Sequence, residues 1–248
     1  MTNRTSIPAR LLALGLGALL IAACDSSNNN NNPPPPPPPP PPAMASFDVT
    51  VTNLTNGQPL SPLAVIAHQD GYAVFAIGAA ATAGLEMLAE GGDNTALIAE
   101  ADADANVTAT ASGAAPIGPA GNETVSVTVL QSELPGLTVS VSTMLVNTND
   151  AITGINGTSV ADMQVGDSAT WQAIAYDAGT EADTEAAAHI PGPAGGGEGF
   201  NAARDDDADR VAMHSGVVSQ DDGFAASDLG GQQRFDNPVA QVRIERTN

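Results

Sequence analysis

The sequence contains one cysteine, Cys24, no lysine, and only 3 % aromatic residues in 248 positions. A single thiol excludes an intrachain disulfide, a CxxC redox pair and a cysteine-rich zinc site, so the fold must hold by burial, hydrogen bonds and any metal it binds. Without lysine, the positive charge amounts to seven arginines against 28 aspartates and glutamates, a formal net charge of −21. So acidic a surface repels nucleic acid and anionic headgroups, which excludes a nucleic-acid partner and a membrane contact made through basic residues. One Trp, two Tyr and five Phe are few for the aromatic platforms of a sugar-binding cleft. Catalytic signatures are also missing: there is no GxSxG, HExxH, P-loop or strand-borne GxGxxG. His68, His189 and His214 are far apart and lack metal-ligand spacing. A non-enzymatic protein is the expectation.

What is present begins with an export signal over residues 1–23. Arg4 and Arg10 flank the start of "LLALGLGALLIAA", an apolar run too short to cross a bilayer comfortably. It ends in Ile21-Ala22-Ala23-Cys24, which resembles the bacterial lipobox. That resemblance implies cleavage before Cys24 and attachment to the membrane through a lipid on its sulfur. The expected location is the bacterial cell envelope, outside the cytoplasm, at either the periplasmic or the cell surface. Lipidation also removes the last free thiol, and with it a cysteine nucleophile. Five arginines then face 28 carboxylates, a formal charge of about −23.

Residues 24–45 form the linker. Asn28–Asn32 and Pro33–Pro42 cannot bury apolar surface. The proline run favours polyproline II at about 3.1 Å per residue, roughly 30 Å of stiff spacer. Disorder in the Asn/Pro stretch and a folded domain over 46–248 are therefore expected.

From Phe47 the pattern changes to period two. "FDVTVTNL", "ETVSVTVL" and "LTVSVSTML" alternate Val, Leu or Phe with Ser, Thr or Asp, the pattern of half-buried antiparallel strands. Weaker candidates lie at 63–67, 168–176 and 239–245, and turn residues such as Asn56-Gly57 and Pro135-Gly136 fall between strands. One region breaks the rule: "ATAGLEMLAEGG" has Leu85 and Leu88 at helical spacing before Gly91-Gly92, and a second short helix is expected at 95–101. The reading is an all-β fold, an antiparallel β-sandwich with one or two short helices.

Carboxylates are the available chemistry, and calcium takes six to eight oxygens from carboxylates, carbonyls and water. Asp205, Asp207 and Asp209 alternate as an EF-hand loop would begin, but the sixth position is Arg210 and the twelfth is Gly216. A solvated acidic loop is the simpler reading, and a second cation site there stays open.

A stronger signal joins two separated segments. "MLVNTNDAITGI" at 144–155 is followed by "YDAGTEADTE" starting at Tyr176, which places Asp177 27 residues after Asp150. Together they resemble the spondin N-terminal domain of F-spondin, mindin and many bacterial secreted or lipid-anchored proteins. Animal members carry Ser-Pro-Asp-Trp and then Tyr-Asp-Ala-Gly-Thr-Asp; here the counterparts are Thr148-Asn149-Asp150-Ala151 and Tyr176-Asp177-Ala178-Gly179-Thr180-Glu181. "FDVTVTNLTNGQPLSPLAVIAH", "AAHIPGP" and "DNPVAQVRIE" are also similar to bacterial members, so the resemblance spans about residues 46–246. It implies a C2-like sandwich with Ca2+ at one end, ligated by Asp150, Asp177 and Glu181, the last replacing an Asp. Missing Trp and Pro beside Asp150 remove a packing anchor from that loop. Asp183 and Glu185 have no counterpart and are expected to be solvated.

In physical terms Asp150 is expected to end one strand and Asp177 to lie just beyond the strand of Trp171, at a shared rim. A cation there would tie two loops in a domain that has no disulfide. The functional expectation is a surface binding or adhesion module whose partner is an extracellular protein or glycan. A glycan-directed hydrolase using a carboxylate pair and a structural subunit of an envelope complex are the alternatives, and the oligomeric state stays open.

Overall fold

The computed structural model describes residues 36–203 and 208–248. The export signal 1–23, Cys24, the Asn run, and Asp205 and Asp207 lie outside the described residues. Along the chain the elements are β1 (Met44–Asn53), β2 (Ala64–His68), α1 (Ala83–Gly91), α2 (Thr95–Asp102), β3 (Val107–Ser112), β4 (Asn122–Leu130), β5 (Thr138–Met144), β6 (Ala151–Ser159), β7 (Ser168–Ala173), β8 (Ala175–Asp177), β9 (Ala212–Met213) and β10 (Ala240–Arg246). β1 starts at Met44, slightly ahead of the boundary expected at 46.

Two antiparallel sheets result, one ordered β4-β1-β10-β7 and the other β3-β2-β5-β6-β8-β9. Alternation in β1 does what it implies: Phe47, Val49 and Val51 are buried, and Asp48, Thr50 and Thr52 lie on the half-exposed face. β1 pairs with both β4 and β10, placing Phe47 opposite Val127 on one side and Arg246 on the other. The first and last strands are thus neighbours in the middle of one sheet. Between the sheets, Phe47, Val49, Val51, Val125, Val127, Val242 and Ile244 pack against Val65, Val139 and Val141 in the main core.

A second core lies on the other face of the six-stranded sheet. Leu85 and Leu88 of α1 and Leu97 of α2 cover Ile66 and Ile152. α1 forms where its caps allow: the Thr82 hydroxyl accepts from the Leu85 N–H, and Gly92, at φ +71°, closes the other end onto the Leu88 carbonyl. Because helices cover that face, every residue of β2 and β5 is buried. The Ser/Thr face of β5 therefore does not meet water as alternation alone implies. Ser140 instead bonds His68 Nε2 at 2.8 Å, and the Thr143 hydroxyl donates to the Ser61 carbonyl at 2.7 Å. His68 is accordingly a hydrogen-bonded residue of the interior, 1 % exposed.

The candidate strand at 168–176 divides in two. β7 pairs with β10 in one sheet, and after Ile174 the chain enters β8, which pairs with β6 in the other. Trp171 and Tyr176 consequently belong to different sheets. The same crossing carries Asp177 to the rim where β6 begins. Among the described residues no helix is long and apolar enough to cross a membrane.

Candidate metal centre

Asp150 does not end a strand. β5 stops at Met144, and Asp150 is the last residue of the turn before β6. Asn147, Thr148, Asn149 and Asp150 are all buried in that turn. The Thr148 hydroxyl donates to the Leu145 carbonyl at 2.6 Å and accepts from the Ala151 N–H at 3.0 Å. Asn147 donates through Nδ2 to the Gly57 carbonyl and accepts through Oδ1 from the Ala194 N–H. Gln58 accepts from the Asn147 N–H and donates to the carbonyls of Asn147 and Gln233. Amide hydrogen bonds to two other segments, Gly57-Gln58 and Ala194, thus anchor a turn that lacks the expected Trp and Pro.

The second segment folds around the first. β6 and β8 run antiparallel with Ala151 opposite Asp177, so Asp177 closes β8 at the same rim. Asp177 Oδ1 accepts the Gly179 N–H at 2.7 Å, which turns the chain back at once. Gly179 is required there: its φ is +71°, and a Cβ would stand 2.3 Å from the Arg210 carbonyl oxygen. Beyond the turn, Asp150 Oδ2 accepts from Thr180 N at 2.8 Å, Thr180 Oγ1 at 3.3 Å and Glu181 N at 3.2 Å.

One oxygen of Asp150 is therefore well supplied with donors. The other, Oδ1, is buried and has no hydrogen-bond partner. Asp150, Asp177 and Asp183 each present a carboxylate oxygen, and the three atoms lie within 4.8 Å of one another. Burial, and next the charge of Asp177, push the Asp150 carboxyl up to about 7, against the downward pull of the Thr180 N–H. Hard oxygen donors, one of them buried and unbonded, converging in a rim of like charge fit a divalent cation.

Of the residues assigned from the sequence, Asp150 and Asp177 meet as the paired segments imply. Glu181 is buried, with its backbone N–H on Asp150 and its Oε1 4.0 Å from His189 Nδ1, and the triad's third oxygen comes from Asp183. Asp183 and Glu185 were expected to be solvated. Asp183 is exposed as expected, yet it also joins the triad, whereas Glu185 is only 3 % exposed. Burial raises the Glu185 carboxyl to about 7, although the Val218 N–H bonded to it pulls the other way. His214 supports Asp183 from behind, with Nε2 3.7 Å from Asp183 Oδ1. Gly216 N–H donates to His214 Nδ1, so the neutral ring carries its proton on Nε2. Burial would lower the imidazole pKa, but the hydrogen bond and charge of Asp183, with Asp177 and Asp150 behind it, raise it overall. Nothing in the spacing of His214 signals this role, because chain return through β9 alone brings it to β8. Asp209 donates its N–H to the Gly179 carbonyl and is exposed.

A family model described as Spondin_N matches residues 53–190, more than half of the chain. The matched span includes both segments of the rim. No curated protein matches the chain.

Proposed function

The chain belongs to the spondin N-terminal domain family, and from that premise we propose that it is a calcium-stapled binding module carried on the bacterial cell surface or in the periplasm by a lipid on Cys24. The family itself points to an extracellular binding module. Calcium rests on one observation above the others: Asp150 Oδ1, buried and without a hydrogen bond, beside carboxylate oxygens of Asp177 and Asp183. An ion would supply the missing partner and neutralise the mutual repulsion. Because Asp150 comes before β6 and Asp183 follows β8, one cation would tie the two loops. Water and carbonyl oxygens would fill the rest of the shell.

The hydrolase alternative fits less well. Asp150 is fully buried, which suits an ion and leaves a glycan chain no route to it. Adhesion is the activity in keeping with a stalked, strongly acidic domain on the outer side of a membrane, its partner a protein or glycan of the surroundings. Two measurements test the reading. Calorimetric titration of the metal-free protein with Ca2+ should give one saturable site that Asp150→Asn removes. Cys24→Ala should move the protein from the membrane fraction to the soluble one. No heat of binding, or an unchanged distribution, would dismiss the corresponding half.

A further inference from the structure

We propose that a second site lies beside the triad, a pocket that receives the ammonium or guanidinium group of a lysine or arginine side chain on a protein partner. This names the partner chemistry of the binding-module reading and rests on it. The pocket holds about 450 Å³, and Asp183, Glu185, Asp222, Val218 and Phe224 are among its walls. That volume is within the usual range for ligand pockets and far more than a bare ion fills.

The carboxylates differ in what they have left to give. Asp222 is engaged: its Oδ2 accepts from the N–H and hydroxyl of Ser219, and its Oδ1 sits 2.9 Å from Arg234 Nη1. Glu185 is 97 % buried, yet only one of its oxygens, Oε1, has a hydrogen bond, from Val218 N at 3.1 Å. Its other oxygen takes no hydrogen bond among the described residues, while the residue lines the cavity. The backbone around it is held: the Glu185 N–H donates to Asn149 Oδ1, and its carbonyl accepts from Asp228 N. Such a group is positioned for a ligand and is unlike the freely hydrated carboxylates of an acidic surface.

The walls decide which cation. Val218 is 46 % exposed and Phe224 36 % exposed, offering hydrocarbon and a ring edge or face. A metal ion gains nothing from either, whereas an aliphatic stem ending in a positive group gains from both. The chain cannot supply that group from a lysine, having none. Its strong negative charge would draw a basic partner in.

The test titrates the full chain, in calcium, with Nα-acetyl-lysine methylamide and Nα-acetyl-arginine methylamide, followed by NMR shifts. Nα-acetyl-norleucine methylamide is the uncharged comparison and cadaverine the free amine. Saturable binding of a cationic probe, at least tenfold tighter than norleucine, is expected, with Glu185→Gln and Phe224→Ala each weakening it fivefold or more. Glu185→Gln should leave calcium affinity intact, and Asp150→Asn should abolish it, so the two sites fail separately. Equal binding of norleucine, or no effect of either variant, overturns the proposal. Cadaverine binding tenfold more tightly than the lysine probe also overturns it, since a free amine would then be the occupant.

Discussion

Replacing Asp150 by Asn should stabilise the metal-free protein at the same time as it destroys the calcium site. Asp150 is fully buried, and its carboxyl rises from 3.8 to about 7. Below pH about 4 the folded and unfolded chains both hold the proton, and the group carries no penalty. Between about 4 and 7 the unfolded chain releases it while the folded chain keeps it, so stability falls as pH rises through that window. By pH 8 the full penalty, about 4 kcal/mol, is in place. Asn retains an acceptor for the N–H groups of Thr180 and Glu181 and places an amide donor, in place of a charge, near Asp177 and Asp183. In EDTA at pH 8, Asp150→Asn should therefore melt up to roughly 8–16 °C above the wild type, at about 2–4 °C per kcal/mol for a domain of this size. At pH 4 the difference should shrink to about 0.6 kcal/mol, roughly 1–2 °C, and it vanishes at lower pH. Adding calcium closes the gap: the wild type gains about 3 kcal/mol at a hundred times Kd and about 4 kcal/mol at a thousand times, where the two draw level, while the variant gains nothing. Differential scanning calorimetry at pH 4, 6 and 8, with EDTA and with calcium, reads all of this. A metal-free variant no more stable than the wild type at pH 8, or one still stabilised by calcium, would refute the reasoning.

Asp183→Asn should weaken calcium binding tenfold or more, and Glu181→Gln should weaken it less, because Asp183 contributes the triad's third oxygen; calorimetric titration of both variants ranks them. Gly179→Ala forces a Cβ against the Arg210 carbonyl at positive φ, so a loss of at least about 2 kcal/mol in urea unfolding and weaker calcium binding are expected. Gln58→Ala strands the Asn147 N–H and carbonyl in a buried turn and should lower stability by about 2–3 kcal/mol in the same assay, with calcium affinity falling alongside. Phe47→Ala removes a fully buried ring of the main core, between Val127 and Arg246 in the four-stranded sheet, so about 3–5 kcal/mol of stability should go while calcium affinity stays the same.

The elements legible in the sequence are those whose partners impose a simple period. β1 and β4 each have one face in the main core and one toward solvent, and both alternate in the sequence as they do in burial. β2 and β5 are covered on both sides, and there alternation misstates exposure, since Ser140 and Thr143 find partners in Ser61 and His68 and not in water. The division of 168–176 into β7 and β8 leaves no local trace, because changing sheets needs only one residue, Ile174, between two extended stretches.

At the rim, Asp150 and Asp177 were readable through the family resemblance of the two segments that hold them, and those segments form compact local structures: a turn closed by Thr148 and a bend at Gly179 where a side chain is strained. The lack of disulfides, the acidity and the sandwich class likewise follow from composition and period alone, which depend on no distant contact. Asp183, Glu185 and His214 are of another kind. Their spacing carries no signal, and only the return of the chain through β9 sets His214 behind Asp183 and closes the pocket against Glu185. Burial and charge proximity are sums over segments far apart in sequence, so the titration of Asp150 and the identity of the third carboxylate were decided by the tertiary structure.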